Sequence, residues 1–89
     1  MTTRFIVSGR VQHVGYRWYV MTKAKIAGVT GYIRNRADGT VEIYLNGNRE
    51  NIEAMYHLCL QGPTFARVDD IAVINDALLP ENLAVFYAF

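Results

Sequence analysis

Residues 4–27 read RFIVSGRVQHVGYRWYVMTKAKIA, and the spacing of their apolar side chains changes once along the way. Phe5, Ile6, Val7 and Val11 make Arg4 to Val11 a β-rich run, which predicts a strand bounded by Ser8-Gly9 and the loop that follows. Gly9 would let another backbone come close. From Tyr16 to Ala27 the period is helical: Val20, Ala24 and Ala27 stand at i, i+4 and i+7, Met21 lies beside them, and Gly28 follows as a stop. A strand therefore feeds a helix with one buried stripe, through a glycine-punctuated turn over Gly9 to Arg17.

Working outward, Thr30 to Arg36 and Thr40 to Leu45 flank Ala37-Asp38-Gly39, and Val41, Ile43 and Leu45 alternate with Glu42 and Tyr44, which predicts a hairpin. Asn48 can cap a second helix running through Gln61, where Ile52, Met55, Tyr56 and Cys59 occupy i, i+3, i+4 and i+7 before Gly62-Pro63. Val68 to Ile74 reads as a fourth strand. After a loop from Asn75 to Asn82, Leu83 to Phe89 reads as a fifth. The order is βαββαβ with an additional C-terminal strand. Two crossover helices, each with one apolar stripe, can cover one face of a mostly antiparallel sheet. The fold class is α+β, a ferredoxin-like two-layer sandwich, with residues 1–89 expected to form one domain.

Composition narrows the function. At 52% hydrophobic and 19% charged residues the chain can build a core. Its net charge of +1 is too weak to make nucleic acid the default partner, so an anion site must be local. No stretch approaches a membrane span. The single Cys59 cannot form an intramolecular disulfide, which fits a reducing compartment. A cytoplasmic monomer that binds neither nucleic acid nor membrane is the expectation.

The turn between the first strand and the first helix is where chemistry can reside. It sets backbone N–H groups at a helix N-terminus, where the dipole favours an anion, and Gly15 lets the turn tighten around a ligand. Arg17 adds a planar fork of donors matched to phosphate or carboxylate oxygens. The same pattern also serves as a purely structural turn, and the residues alone leave both readings open.

Two motifs carry a resemblance. Val7-Ser8-Gly9-Arg10-Val11-Gln12-His13-Val14-Gly15-Tyr16-Arg17 resembles the first motif of the acylphosphatases, and Gly31-Tyr32-Ile33-Arg34-Asn35-Arg36-Ala37-Asp38-Gly39-Thr40-Val41, running on to Gly47, resembles the second. Gly62-Pro63 before a late strand is similar too, so the likeness spans about Arg4 to Ile74. It implies hydrolysis of a carboxyl–phosphate anhydride of a small acyl phosphate to a carboxylate and inorganic phosphate, without metal or cofactor. Inorganic phosphate or similar anions would bind as product or inhibitor. By position, Arg17 and the loop Gln12, His13, Val14, Gly15, Tyr16 and Arg17 would hold the phosphoryl group, and Asn35 would orient the attacking water. On its residues alone Asn35 could equally shape the end of a hairpin strand. Three positions depart from the family's usual residues: His13, where Gly is commoner, Tyr16, where Phe or Met is usual, and Ile33, where smaller residues stand.

Other groups read as structural. Asp69-Asp70 and Asp76 lack a His or Glu to complete a ligand set. His57 reads as a surface partner of Glu53, and Cys59 as a buried inert thiol. The runner-up function is a non-catalytic module of the same fold that holds a phosphorylated metabolite. A distant third is RNA binding through exposed sheet rings, with Tyr32, Tyr44, Phe86 and Tyr87 as candidates.

Overall fold

The first strand, β1 (Thr2–Arg10), alternates inward and outward side chains, with Thr3, Phe5 and Val7 buried. In the computed structural model, which describes residues 2–75 and 86–88, it is an interior strand, second from one edge of a five-stranded sheet. The other elements are α1 (Tyr16–Ala27), β2 (Thr30–Asn35), β3 (Val41–Asn46), α2 (Arg49–Gln61), β4 (Arg67–Asn75) and β5 (Phe86–Ala88). The sheet order is β4-β1-β3-β2-β5; every neighbour is antiparallel except β5, which runs parallel to β2. The ferredoxin-like α+β sandwich and the added C-terminal strand are both present, with β5 on the outer side of the hairpin.

The helix α1 has the bounds that its periodicity predicts, and α2 starts where Asn48 caps it: Asn48 Oδ1 accepts the Asn51 N–H at 2.8 Å. Such a cap stabilises a helix by about 1 kcal/mol. Both helices pack on the same face, α1 against β2 and β5, α2 against β4, and each against the other. Between the layers lie Phe5, Val7, Val20, Ala24, Ile33, Ile43, Leu45, Met55 and Cys59, all at 1% exposure or less. Each large aliphatic or aromatic side chain buried this way contributes about 1.5–3 kcal/mol. Phe86 joins this core.

At Gly9 the ladder between β1 and β4 slips: Ser8 pairs with Asp70 and Gly9 with Val68, leaving Asp69 as the extra residue. A Cβ on Gly9 would stand 2.1 Å from the Arg67 carbonyl oxygen, so the expected close backbone approach is present.

Two expectations need amendment. Glu42, read as an outward member of β3, is only 3% exposed, because its cross-strand neighbours fold over it. Arg4 Nε donates to Glu42 Oε2 at 2.7 Å, Arg34 Nε donates to Oε1, and Tyr32 Oη donates to Oε1 at 3.3 Å. Burial opposes the charge, but the Arg34 and Arg4 guanidiniums outweigh it and hold the carboxyl below the usual range. Asn75, assigned to a loop, ends β4. The rest of that loop, with Asp76 and Pro80, and the Leu83 to Val85 and Phe89 parts of the fifth strand lie outside the described residues.

Candidate functional site

The loop from Val11 to Gly15 is shaped by two residues in the left-handed region, His13 (φ 62°) and Gly15 (φ 80°). His13 is the sole non-glycine residue with positive φ among those described. A Cβ costs energy there, which accounts for glycine being the commoner choice, although His tolerates this region better than most residues. Left-handed residues in a loop that enters a helix are the kind of backbone from which anion-binding nests are built.

Gly15 is the N-cap of α1. No side chain caps this helix end, no acidic residue stands in its first turn, and the intrahelical ladder begins with Tyr19 N–H to Gly15 O at 3.0 Å. The positive end of the helix dipole thus faces the loop without a resident carboxylate, which favours a bound anion.

Three side chains fix this loop and the start of α1 to the sandwich. Gln12 Nε2 donates to the carbonyls of Arg36 (2.8 Å) and Thr40 (2.9 Å), tying the loop to both arms of the β2–β3 turn. Tyr16 is buried, and its hydroxyl donates to the Cys59 carbonyl at 2.7 Å, in the last turn of α2. Tyr19 Oη donates to the Leu58 carbonyl at 3.0 Å. Burial, reinforced by Cys59, pushes the Tyr16 phenol far above its ordinary range, so it stays protonated and serves as a donor. Burial also pushes the Cys59 thiol up to about 12, in keeping with an inert core residue.

These constraints enclose a pocket of about 180 Å³. Arg17, His13 and Gly15 line it from the loop and helix start, Asn35 from the end of β2, and Val11, Tyr16 and Trp18 supply its apolar wall. Arg17 and Asn35, 18 residues apart in sequence, therefore meet at one site. Asn35 Oδ1 is buried and has no hydrogen-bond partner among the described residues. A buried acceptor without a donor costs about 1–3 kcal/mol, so it calls for a partner that the protein itself does not supply among the described residues.

Two members of the predicted loop, Gln12 and Val14, do not line the pocket; Gln12 instead struts the loop against the hairpin. Trp18 does line it, and the sequence reading passed over this residue. Its signal was a large aromatic residue beside Arg17, off the buried stripe of α1. The other groups are engaged elsewhere. Asp69 pairs with Arg67 at 2.9 Å, Glu53 pairs with Arg49 at 3.7 Å, and His57 stands edge-on to Tyr56. Of the rings considered for RNA, Phe86 is buried, while Tyr32 and Tyr44 pack on each other at 4.8 Å and Arg4 lies over Tyr44.

A ferredoxin-like sandwich whose first helix opens without a side-chain cap beside a pocket lined by Arg17 and Asn35 is the class that fold and site define. Comparison with known proteins narrows it: the acylphosphatase family model matches residues 3–86, and the chain belongs to the acylphosphatase family. It is 44% identical over 85 residues to an acylphosphatase of Koribacter versatilis, covering 96% of this chain and 76% of that one. An acylphosphatase of Thermococcus kodakarensis is 45% identical over 80 residues, covering 90% of this chain and 86% of that one. Among solved structures, the Bacillus subtilis acylphosphatase superposes with a TM-score of 0.91 at 34% identity, covering 99% of this chain and 97% of that one.

Proposed function

We propose that the chain hydrolyses the carboxyl–phosphate bond of small acyl phosphates, with the nest and Arg17 holding the phosphoryl group and Asn35 directing the water. The activity itself goes with the family: the chain is an enzyme of the acylphosphatase type, a hydrolase. The assignment of roles rests on the pocket, and one observation carries it. Asn35 lines the pocket that Arg17 also lines, and its Oδ1 is a buried acceptor lacking a partner among the described residues.

The chemistry asks for little more. An acyl phosphate has a good leaving group, so the protein must place a water in line with the carboxylate oxygen and neutralise charge on the equatorial phosphoryl oxygens. Arg17 and the loop N–H groups supply the second need as preorganised donors. Asn35 Oδ1 supplies the first by accepting one hydrogen of the water. It does so without the negative charge that an Asp would set beside a dianionic substrate. The water's oxygen bonds to phosphorus as the phosphorus–carboxylate bond breaks; the carboxylate leaves with the electron pair, and the water's proton passes to solvent or phosphate. No strong protein base is required. Inorganic phosphate, as product, binds the same nest. A cytoplasmic setting completes the reading, supported by Cys59 as a buried free thiol.

Phosphate release from acetyl phosphate by the purified chain tests the reading. Arg17→Ala is expected to act mainly through KM, and Asn35→Ala mainly through kcat, with losses on the order of 10²–10³ for a single donor or positioning group. Near-normal rates in both variants would refute the assignment. Phosphate binding without release by the unaltered chain would instead favour a non-catalytic phosphometabolite module.

A further inference from the structure

The pocket of about 180 Å³ is smaller than the roughly 300–1,000 Å³ typical of sites that enclose a whole small molecule. The polar side chains that line it include Arg17 and Asn35, the two assigned above to the phosphoryl group and its water, so on that reading the acyl half of a substrate emerges at the mouth. Trp18 stands there. It follows Arg17 in the first turn of α1, lines the same pocket and is 69% exposed. The other large exposed hydrophobic residues among those described, such as Ile26 and Phe65, do not line it.

Packing does not account for an indole at this position. The buried stripe of α1 is Tyr16, Val20 and Ala24, and position 18 lies about 200° around the helix from both Tyr16 and Val20, on the face where a polar residue is expected. An exposed, flat, rigid ring beside the phosphoryl clamp offers a stacking surface for a planar apolar group, with little rotamer freedom to lose.

We propose that Trp18 determines acyl-group specificity: its indole forms a platform at the pocket mouth that favours acyl phosphates with an aromatic acyl group over acetyl phosphate. This rests on the hydrolase reading for its kinetic test, and a binding test stands apart from catalysis.

The experiment compares kcat/KM for benzoyl phosphate and acetyl phosphate in the unaltered chain, Trp18→Ala and Trp18→Phe. Alongside, titration calorimetry measures benzylphosphonate and methylphosphonate, two unreactive probes. The aryl-to-acetyl ratio of kcat/KM is expected to fall about tenfold in Trp18→Ala and to recover largely in Trp18→Phe. Trp18 is the chain's one tryptophan, so its emission should respond to benzylphosphonate far more than to methylphosphonate. A ratio unchanged within about twofold, or an emission blind to benzylphosphonate, overturns the proposal. If the unaltered chain releases no phosphate from either substrate, the hydrolase reading fails and the phosphonates decide: a benzyl preference lost in Trp18→Ala upholds the platform, whereas an unchanged preference, or no binding of either probe, overturns it.

Discussion

Replacing Tyr16 by Phe removes one oxygen atom and tests whether the loop is held by the far end of α2. The hydroxyl donates to the Cys59 carbonyl at 2.7 Å, and the residue is 1% exposed. Cys59 lies in the last turn of α2, where carbonyls have no intrahelical donor, so the variant leaves a buried acceptor unsatisfied. That omission costs about 1–3 kcal/mol. With about 4–8 °C per kcal/mol for a domain this small, a mid-range loss of about 2 kcal/mol lowers Tm by roughly 8–16 °C.

Tyr19→Phe supplies the comparison within the same molecule. Tyr19 is only half-buried, and its acceptor, the Leu58 carbonyl, also takes the Gly62 N–H at 3.0 Å, so that carbonyl keeps a donor when the hydroxyl is gone. Its loss should stay below about 1 kcal/mol. Thermal and urea unfolding followed by far-UV circular dichroism reads both variants. If Tyr16→Phe lowers stability no more than Tyr19→Phe does, the bond to Cys59 is not the anchor described here.

The other perturbations separate positioning from folding. Gln12→Ala removes both donors that join the loop to the Arg36 and Thr40 carbonyls; kcat should fall about tenfold or more while stability drops by about 1–2 kcal/mol, and an unchanged kcat would show that the strut does not set the relation of the nest to Asn35. Glu42 gives a pH test on the opposite face of the sheet. Its folded pKa is lowered, so its stabilisation is present above the unfolded glutamate value and is lost as pH falls through the lower folded value. Urea midpoints of the unaltered chain should therefore fall more steeply below about pH 4.5 than those of Glu42→Gln, and parallel curves would rule this linkage out.

Much of the architecture was legible because it is written locally. The period change after Gly15, the Asn48 cap and the Ala37-Asp38-Gly39 turn each act over a few residues, and both helices and the hairpin follow from them. The bulge at Gly9 was readable as a close approach, since only a missing Cβ admits the Arg67 carbonyl. What escaped the sequence depends on distant partners. The pairing of β5 with β2 joins residues 55 positions apart and has no local signature. Glu42 alternates as a polar residue should, yet is buried by Arg4 and Arg34, which arrive from two other strands. In the site, Arg17 and Asn35 could be named from their motifs. The strut made by Gln12 and the placement of Trp18 at the mouth required the folded geometry.

The parallel pairing of β5 with β2 also bears on the order in which the protein matures. Synthesis proceeds from the N-terminus, so β1, α1 and the hairpin are made well before residues 86–88. Until those residues dock, the strand that ends in Asn35 is the border of a four-stranded sheet, with Gly31 to Ile33 open to any passing strand. The strand that carries Asn35 thus waits for a segment made 55 residues later, and until that segment docks a nascent chain would be exposed to mispairing there.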